Sequence, residues 1–231
     1  MTATTPYSHL LATAVTRDDR LHIDIPADWA QGRTAYGGLT AALCVEAAAL
    51  VAADLPPLRS AQFAFIGPAA GRLHATPNVL RRGKSTTYVG VDLAGDDGIA
   101  TRALLCFGAA RPSRLVHDAL PAPGVPAPDA CDEFFWGGLG PAFAVHFESR
   151  LAGGSRPFTP DATPEMLLWM RHRDASARDS VSGLIALADA LPAAALVLFP
   201  ERAPFSTATW SLDLLADAPH SASGWWLLHS I

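Results

Sequence analysis

Hydrophobic and polar residues alternate, cluster and alternate again along this chain. RLHIDIPADW (20–29) sets Leu21, Ile23 and Ile25 between polar neighbours, the two-residue period of a half-buried strand. From Gly37 to Leu55 the chain is apolar on nearly every side, relieved only by Thr40, Glu46 and Asp54, and Pro56-Pro57 closes it. That pattern predicts a helix wrapped by other elements, not a membrane span. LRSAQFAFIGP (58–68) predicts a strand stopped by Gly67-Pro68. HATPNVLRRG (74–83) and STTYVGVDLAGDDGIATRALLCFG (85–108) predict further strands, with Gly-Asp-Asp-Gly as the hairpin turn inside the second stretch.

Prolines at 112, 121, 123, 126 and 128 then mark a surface linker. AFAVHFESRL (142–151) predicts a new strand, and a second helix is expected from about Ser180 to Leu191, N-capped by Asp179 and followed by Pro192. PFSTATWSLDLL (204–215) alternates again, and GWWLLHSI (224–231) reads as a last apolar strand. Gly38-Leu39 and Gly183-Leu184 both open apolar helices, and strands beginning at Ser60 and Ser206 follow 22 and 23 residues later. The order implies two copies of one strand–helix–strands unit, each curling a sheet round its helix and packing helix to helix, with the sheets joined as one. The expected boundaries are residues 1–111 for the first repeat, 112–140 for the linker and 141–231 for the second. The second repeat lacks a counterpart to 81–108, so the natural chain is expected to run on past Ile231 by roughly 30 to 45 residues.

Composition narrows the classes. Of 231 residues half are hydrophobic, enough for a sizeable core, and a net charge of −5 leaves no basic stripe for nucleic acid. The N-terminus has no basic, apolar leader, which with the missing span points to a cytoplasmic protein. The three cysteines, Cys44, Cys106 and Cys131, are odd in number and widely spaced, and read as small buried hydrophobes. No HExxH, CxxC or GxSxG occurs, and His22, His74, His146 and His229 lack metal-ligand spacing, so no metal or cofactor is expected.

The segments GRTAYGGLTAALCVEAA (32–48), LRSAQFAFIGPAAGRLHATPNVLRRGKS (58–85), PAFAVHFESRL (141–151), LIALADALP and PFSTATWSL resemble, in order and spacing, the TesB-like (type II) acyl-CoA thioesterases. The resemblance implies an α+β double hotdog, two tandem antiparallel sheets each wrapped round a long central helix, and an enzyme that hydrolyses acyl-CoA to free acid and CoA. A non-catalytic acyl-CoA binding protein on the same fold is the alternative. A hydratase or dehydratase is less expected, since neither helix starts with a paired His and carboxylate. In that family a carboxylate in the second helix, a Thr on the following strand and a Gln on a late strand hold the hydrolytic water. By position the first two are Asp189 and Thr207. The only glutamines, Gln31 and Gln62, lie in the first half, so the third has no counterpart here and is expected in the missing stretch.

Asp189 interrupts the apolar run GLIALADALP (183–192), at the flank of the stripe Val181, Leu184, Ile185 and Ala188. As a buried carboxylate with a raised pKa it suits a general base; as a residue near a helix C-terminus it suits solvent equally. Thr207 can orient water or be an ordinary strand threonine. Gly37-Gly38, with Tyr36 beside them, can offer backbone N–H groups to an oxyanion and bind substrate, or simply open the helix, with Tyr36 as packing. Arg81, Arg82 and Lys84 can meet CoA phosphates or guard a hairpin edge. Exposed sheet edges favour a homo-oligomer, a dimer or higher.

Overall fold

The structure is a computed structural model and describes residues 4–115, 117, 119–135, 140–160 and 162–231. In chain order its strands are β1 (Val15–Arg17), β2 (Arg20–Asp24), β3 (Ala30–Gln31), β4 (Thr34–Ala35), β5 (Leu58–Phe65), β6 (Arg72–Arg82), β7 (Thr86–Gly95), β8 (Gly98–Gly108), β9 (Asp132–Glu133), β10 (Phe147–Gly154), β11 (Met166–His172), β12 (Thr209–Asp213) and β13 (Trp226–Ser230). The helices are α1 (Tyr7–Ala12), α2 (Gly37–Ala48) and α3 (Val181–Ala188).

The antiparallel strands of the first repeat form as their alternation requires. Along β8, Ala103, Leu105 and Phe107 face the core while Arg102 and Leu104 face out. The β7–β8 turn falls on Gly95-Asp-Asp-Gly98, where Gly98 at φ +102° takes a backbone shape that side chains resist. α2 lies across β6, β7 and β8, and Ala41, Ala42, Leu43, Cys44, Ala47 and Ala48 are all without exposed surface. Such small side chains let α3 pack close alongside it, helix to helix as the repeat implies.

The sheets do not fuse into one among the described residues. One has seven strands, β1-β2-β6-β7-β8-β5-β12, and another has four, β13-β11-β10-β9. β12 belongs by sequence to the second repeat but pairs with β5 of the first, setting Trp210 against Phe63 at 5.5 Å between ring centroids. In the first repeat β7 and β8 lie between β6 and β5; no described strand lies between β13 and β12.

Several local expectations give way to tertiary packing. The strand expected over 20–29 stops at Asp24, because Pro26 starts a short 3₁₀ turn that buries Trp29. The strand expected from Ala142 begins at Phe147, after a 3₁₀ turn over Ala142–His146 that stacks His146 on Trp29 at 3.8 Å. β12 occupies only 209–213 of the run 204–215. α3 is shorter than expected, and Ser180 caps it in place of Asp179: Ser180 is extended and its Oγ accepts from the Gly183 N–H at 3.0 Å. Of the stripe Val181, Leu184, Ile185 and Ala188 only Ile185 is fully buried; α3 is tied to α2 through Ser182, which donates to Glu46, and through the Ala186 carbonyl, which accepts from the N-cap residue Tyr36. Cys44 is buried as expected, but Cys106 and Cys131 are half-buried, and all three thiols are free.

Candidate active site

A cavity of about 410 Å³ opens where α2 begins, and it gathers residues from five parts of the chain. The β3–β4 hairpin, turned through Gly32 at φ +68°, brings Gln31 and Thr34. α2 supplies Gly37 and Thr40; Phe65 at the end of β5 and Thr101 on β8 close the sheet side. Asp189 arrives from the end of α3, and Phe205, Ser206 and Thr207 from the segment leading into β12.

Asp189 is the C-cap of α3 and points at the N-terminus of α2. A Cβ on Gly37 would lie 2.9 Å from its Oδ2, so only glycine lets carboxylate and helix end meet this closely. α2 needs the carboxylate: its N-cap, Tyr36, makes no side-chain capping bond, and the Gly38 N–H donates to Asp189 instead. Burial nevertheless dominates and pushes the Asp189 carboxyl up to about 7, with the Gly38 bond drawing it partly back. At neutral pH it therefore divides between acid and base forms, the condition suited to taking and returning a proton.

The other expected site residues separate into groups. Thr207 is exposed and lines the same cavity as Asp189, with no hydrogen bond between their side chains among the described residues. Gly37 lines the cavity, whereas Gly38 is buried beneath it and holds Asp189. Tyr36 does not reach the cavity. It is 1% exposed, stacks on Phe143 at 3.8 Å and donates to the Ala186 carbonyl at 2.8 Å, so it locks α2 against α3; substrate binding is corrected to packing. Arg81, Arg82 and Lys84 sit at the other end of the sheet, where β6 meets the start of β7. From Thr101 at the cavity to Phe107 near that end, β8 runs about 20 Å. Arg82 is paired there with Asp54, so this cluster guards the sheet end and is not part of the cavity.

Two features escape a reading of the chain by spacing. Gln31 faces this cavity, while Gln62 is exposed on β5 opposite Ser211. Thr101 and Thr40, 1% and 2% exposed, form a buried hydroxyl pair: Thr101 Oγ1 donates to Thr40 Oγ1 at 3.1 Å, and Thr40 Oγ1 donates to the Gly37 carbonyl at 2.9 Å. Thr40 as the one polar break in the first turns of α2, and Thr101 at a core-facing position of β8, are the available signals. No group of three or more His, Cys, Asp or Glu placed to hold a metal occurs among the described residues.

The acyl-CoA thioesterase N-terminal domain family matches residues 25–108, and the acyl-CoA thioesterase C-terminal domain family matches 117–230. The chain belongs to the acyl-CoA thioesterase family. Its reaction is hydrolysis of an acyl-CoA thioester, and membership favours an enzyme over a binding module. The thioesterase is similar in structure to a hotdog-fold protein of unknown function from Alicyclobacillus acidocaldarius, with a TM-score of 0.80 at 23% identity over 90% of this chain and 78% of the other. A protein from Novosphingobium aromaticivorans described as a thioesterase gives 0.73 at 25% identity, over 93% and 83% of the two chains. The tesB protein of Mycobacterium avium gives 0.71 at 20% identity, over 93% and 81%. These likenesses establish the double hotdog. No curated protein sequence matches the thioesterase.

Proposed function

We propose that the thioesterase hydrolyses its substrate in the cavity at the start of α2, with Asp189 as general base. The observation that carries this reading is the raised carboxyl of Asp189 standing at the N-terminus of α2, which its own N-cap residue leaves uncapped. The carboxylate takes a proton from water, and the hydroxide bonds to the thioester carbonyl carbon. The carbonyl electrons move to oxygen, where the positive end of α2 and the amide of Gly37 favour the developing charge. As the tetrahedral species collapses the C–S bond breaks, and the proton held by Asp189 goes to the departing CoA sulfur. Thr207 at the rim orients the water. Asp189→Asn is nearly isosteric, so the fold is retained while kcat falls by roughly two orders of magnitude or more. Free-thiol release from acyl-CoA by the purified variant measures this, and hydrolysis at the parent rate removes Asp189 from the mechanism.

A cytoplasmic homo-oligomer acting in fatty-acid metabolism completes the reading. Leu80, Tyr88 and Leu104 stand exposed together on the outer face of β6–β8, an apolar surface suited to a second copy. Among the described residues no helix is long and apolar enough to cross a membrane. A scattering mass of one chain at micromolar concentration overturns the oligomer.

A further inference from the structure

The cavity has a mixed mouth, where Gln31, Ser206 and Thr207 stand exposed beside apolar side chains, and a hydroxyl-lined floor. Ile66 and Phe205 are 58% and 53% exposed at its opening, while Thr40 and Thr101 are its least exposed lining residues. It also stops early. α2 contributes Gly37 and Thr40 but none of the turns beyond, where Ala41, Ala42, Leu43, Cys44, Ala47 and Ala48 have no exposed surface. β8 contributes Thr101 but not Ala103, and β5 contributes Phe65 but not Phe63. The cavity thus reaches about one helical turn, roughly 5 Å, along the helix. About 410 Å³ lies near the lower limit of small-ligand pockets, roughly 300 to 1,000 Å³, and the end of the CoA arm must share it with the acyl group.

The hydroxyl pair has a fixed polarity. Thr40 spends its proton on the Gly37 carbonyl, so Thr101 must spend its own on Thr40. Both oxygens keep acceptor capacity and neither has a donor left. A saturated acyl chain laid on this floor satisfies nothing. A donor group on the acyl chain replaces the water it leaves behind with a hydrogen bond.

We infer that the thioesterase selects short acyl-CoA thioesters bearing a hydroxyl on one of the first carbons beyond the carbonyl, with Thr101 Oγ1 accepting from that hydroxyl. The inference rests on the cavity at Asp189 being the active site. Thr101 is then a specificity-determining residue, and its partner Thr40 orients it.

The test is a panel of 2-hydroxybutyryl-, 3-hydroxybutyryl-, butyryl- and dodecanoyl-CoA, read as kcat/KM by free-thiol release, with parent, Asp189→Asn, Thr101→Val and Thr101→Ser. The expected result is a preference of about tenfold for one of the hydroxybutyryl substrates over butyryl-CoA, the worth of one hydrogen bond. Dodecanoyl-CoA should be poorer still. Thr101→Val should bring the hydroxybutyryl-to-butyryl ratio close to one, and Thr101→Ser should restore it. Thioether analogues of the hydroxybutyryl and butyryl substrates, titrated calorimetrically into the parent, should rank the same way without turnover. Equal rates for butyryl and both hydroxybutyryl substrates, or dodecanoyl-CoA as the best substrate, overturn the inference while loss of activity in Asp189→Asn leaves the site standing. Undiminished hydrolysis by Asp189→Asn overturns the site and the inference together. A ratio unmoved in Thr101→Val, with only its melting temperature lowered, makes the hydroxyl pair structural and overturns the role of Thr101.

Discussion

The first turns of α2 and α3 are built from similar sequence, Gly38-Leu39 and Gly183-Leu184, yet they end in different chemistry. At α3 the local chain satisfies its own helix. Ser180 accepts from the Gly183 N–H, and Gly183 is pressed so closely on the Ala177 carbonyl that a Cβ there would lie 2.1 Å away. The adjacent Ser182 donates to Glu46 of α2. At α2 no local side chain caps the helix, and the carboxylate of Asp189 crosses from the other repeat to fill the place. A cavity opens beside it. The free amides of a helix end are available for substrate only where the preceding residues have not already consumed them. One repeat has kept that end open and the other has sealed it.

Substitutions at the two glycines should separate these roles most strongly. Gly183→Ala drives a methyl into backbone that cannot move aside, and should cost about 3 kcal/mol or prevent folding, read by urea or thermal unfolding. Gly37→Ala meets only a side-chain oxygen and the edge of Phe65, so the fold should persist while kcat drops roughly tenfold through displaced Asp189. If Gly37→Ala unfolds as readily as Gly183→Ala, the distinction between an open and a sealed helix end is lost.

Proton linkage gives the next effect. The native Asp189 carboxyl lies near 7 and the ordinary value is 3.8, so between those limits the folded protein binds more protons than the unfolded chain. Its stability therefore falls as pH rises from about 4 to about 7 on account of this group. Asp189→Asn removes that loss and should be more stable than the parent by on the order of 2 kcal/mol at pH 8, with no such gain at pH 4. Hydrolysis runs the other way, because the base form is needed: kcat/KM should fall as pH drops below about 7. Melting curves and a pH–rate profile, taken on the same material, must show these opposite slopes.

Smaller effects sharpen the contrast. Ser180→Ala uncaps α3 and should lower stability by about 1 kcal/mol, with the KM for acyl-CoA unmoved. Arg82→Ala releases an exposed pair with Asp54 at the sheet end remote from the cavity, and should change both stability and KM by less than about twofold in the corresponding constants. A large rise in KM in Arg82→Ala would return the cluster to the CoA site.

The strands of the first repeat, the turn at Gly95–Gly98, the wrapped helix from Gly37 and the repeat itself were legible in the chain, because period and turn chemistry are local properties. Asp189 was legible as an anomaly, a charge in an apolar run, and the resemblance gave it a role. Its partner was not. Gly37 and Asp189 are separated by most of the chain, and nothing in either sequence neighbourhood says that α3 ends where α2 begins. The cap of α3 went to Ser180 over Asp179 because backbone angles, fixed by the preceding 3₁₀ turn, choose between adjacent candidates. Tyr36 and the Arg81–Lys84 cluster bore the right groups for a site, and only packing showed one pinned between helices and the other at the far end of the sheet. Thr40 and Thr101 became a pair only when β8 was laid across α2. The sequence determined which elements form and where the costly residue lies. Tertiary structure decided which helix end stayed open, since that depends on which distant group reaches the free amides first in space, a quantity no local pattern encodes.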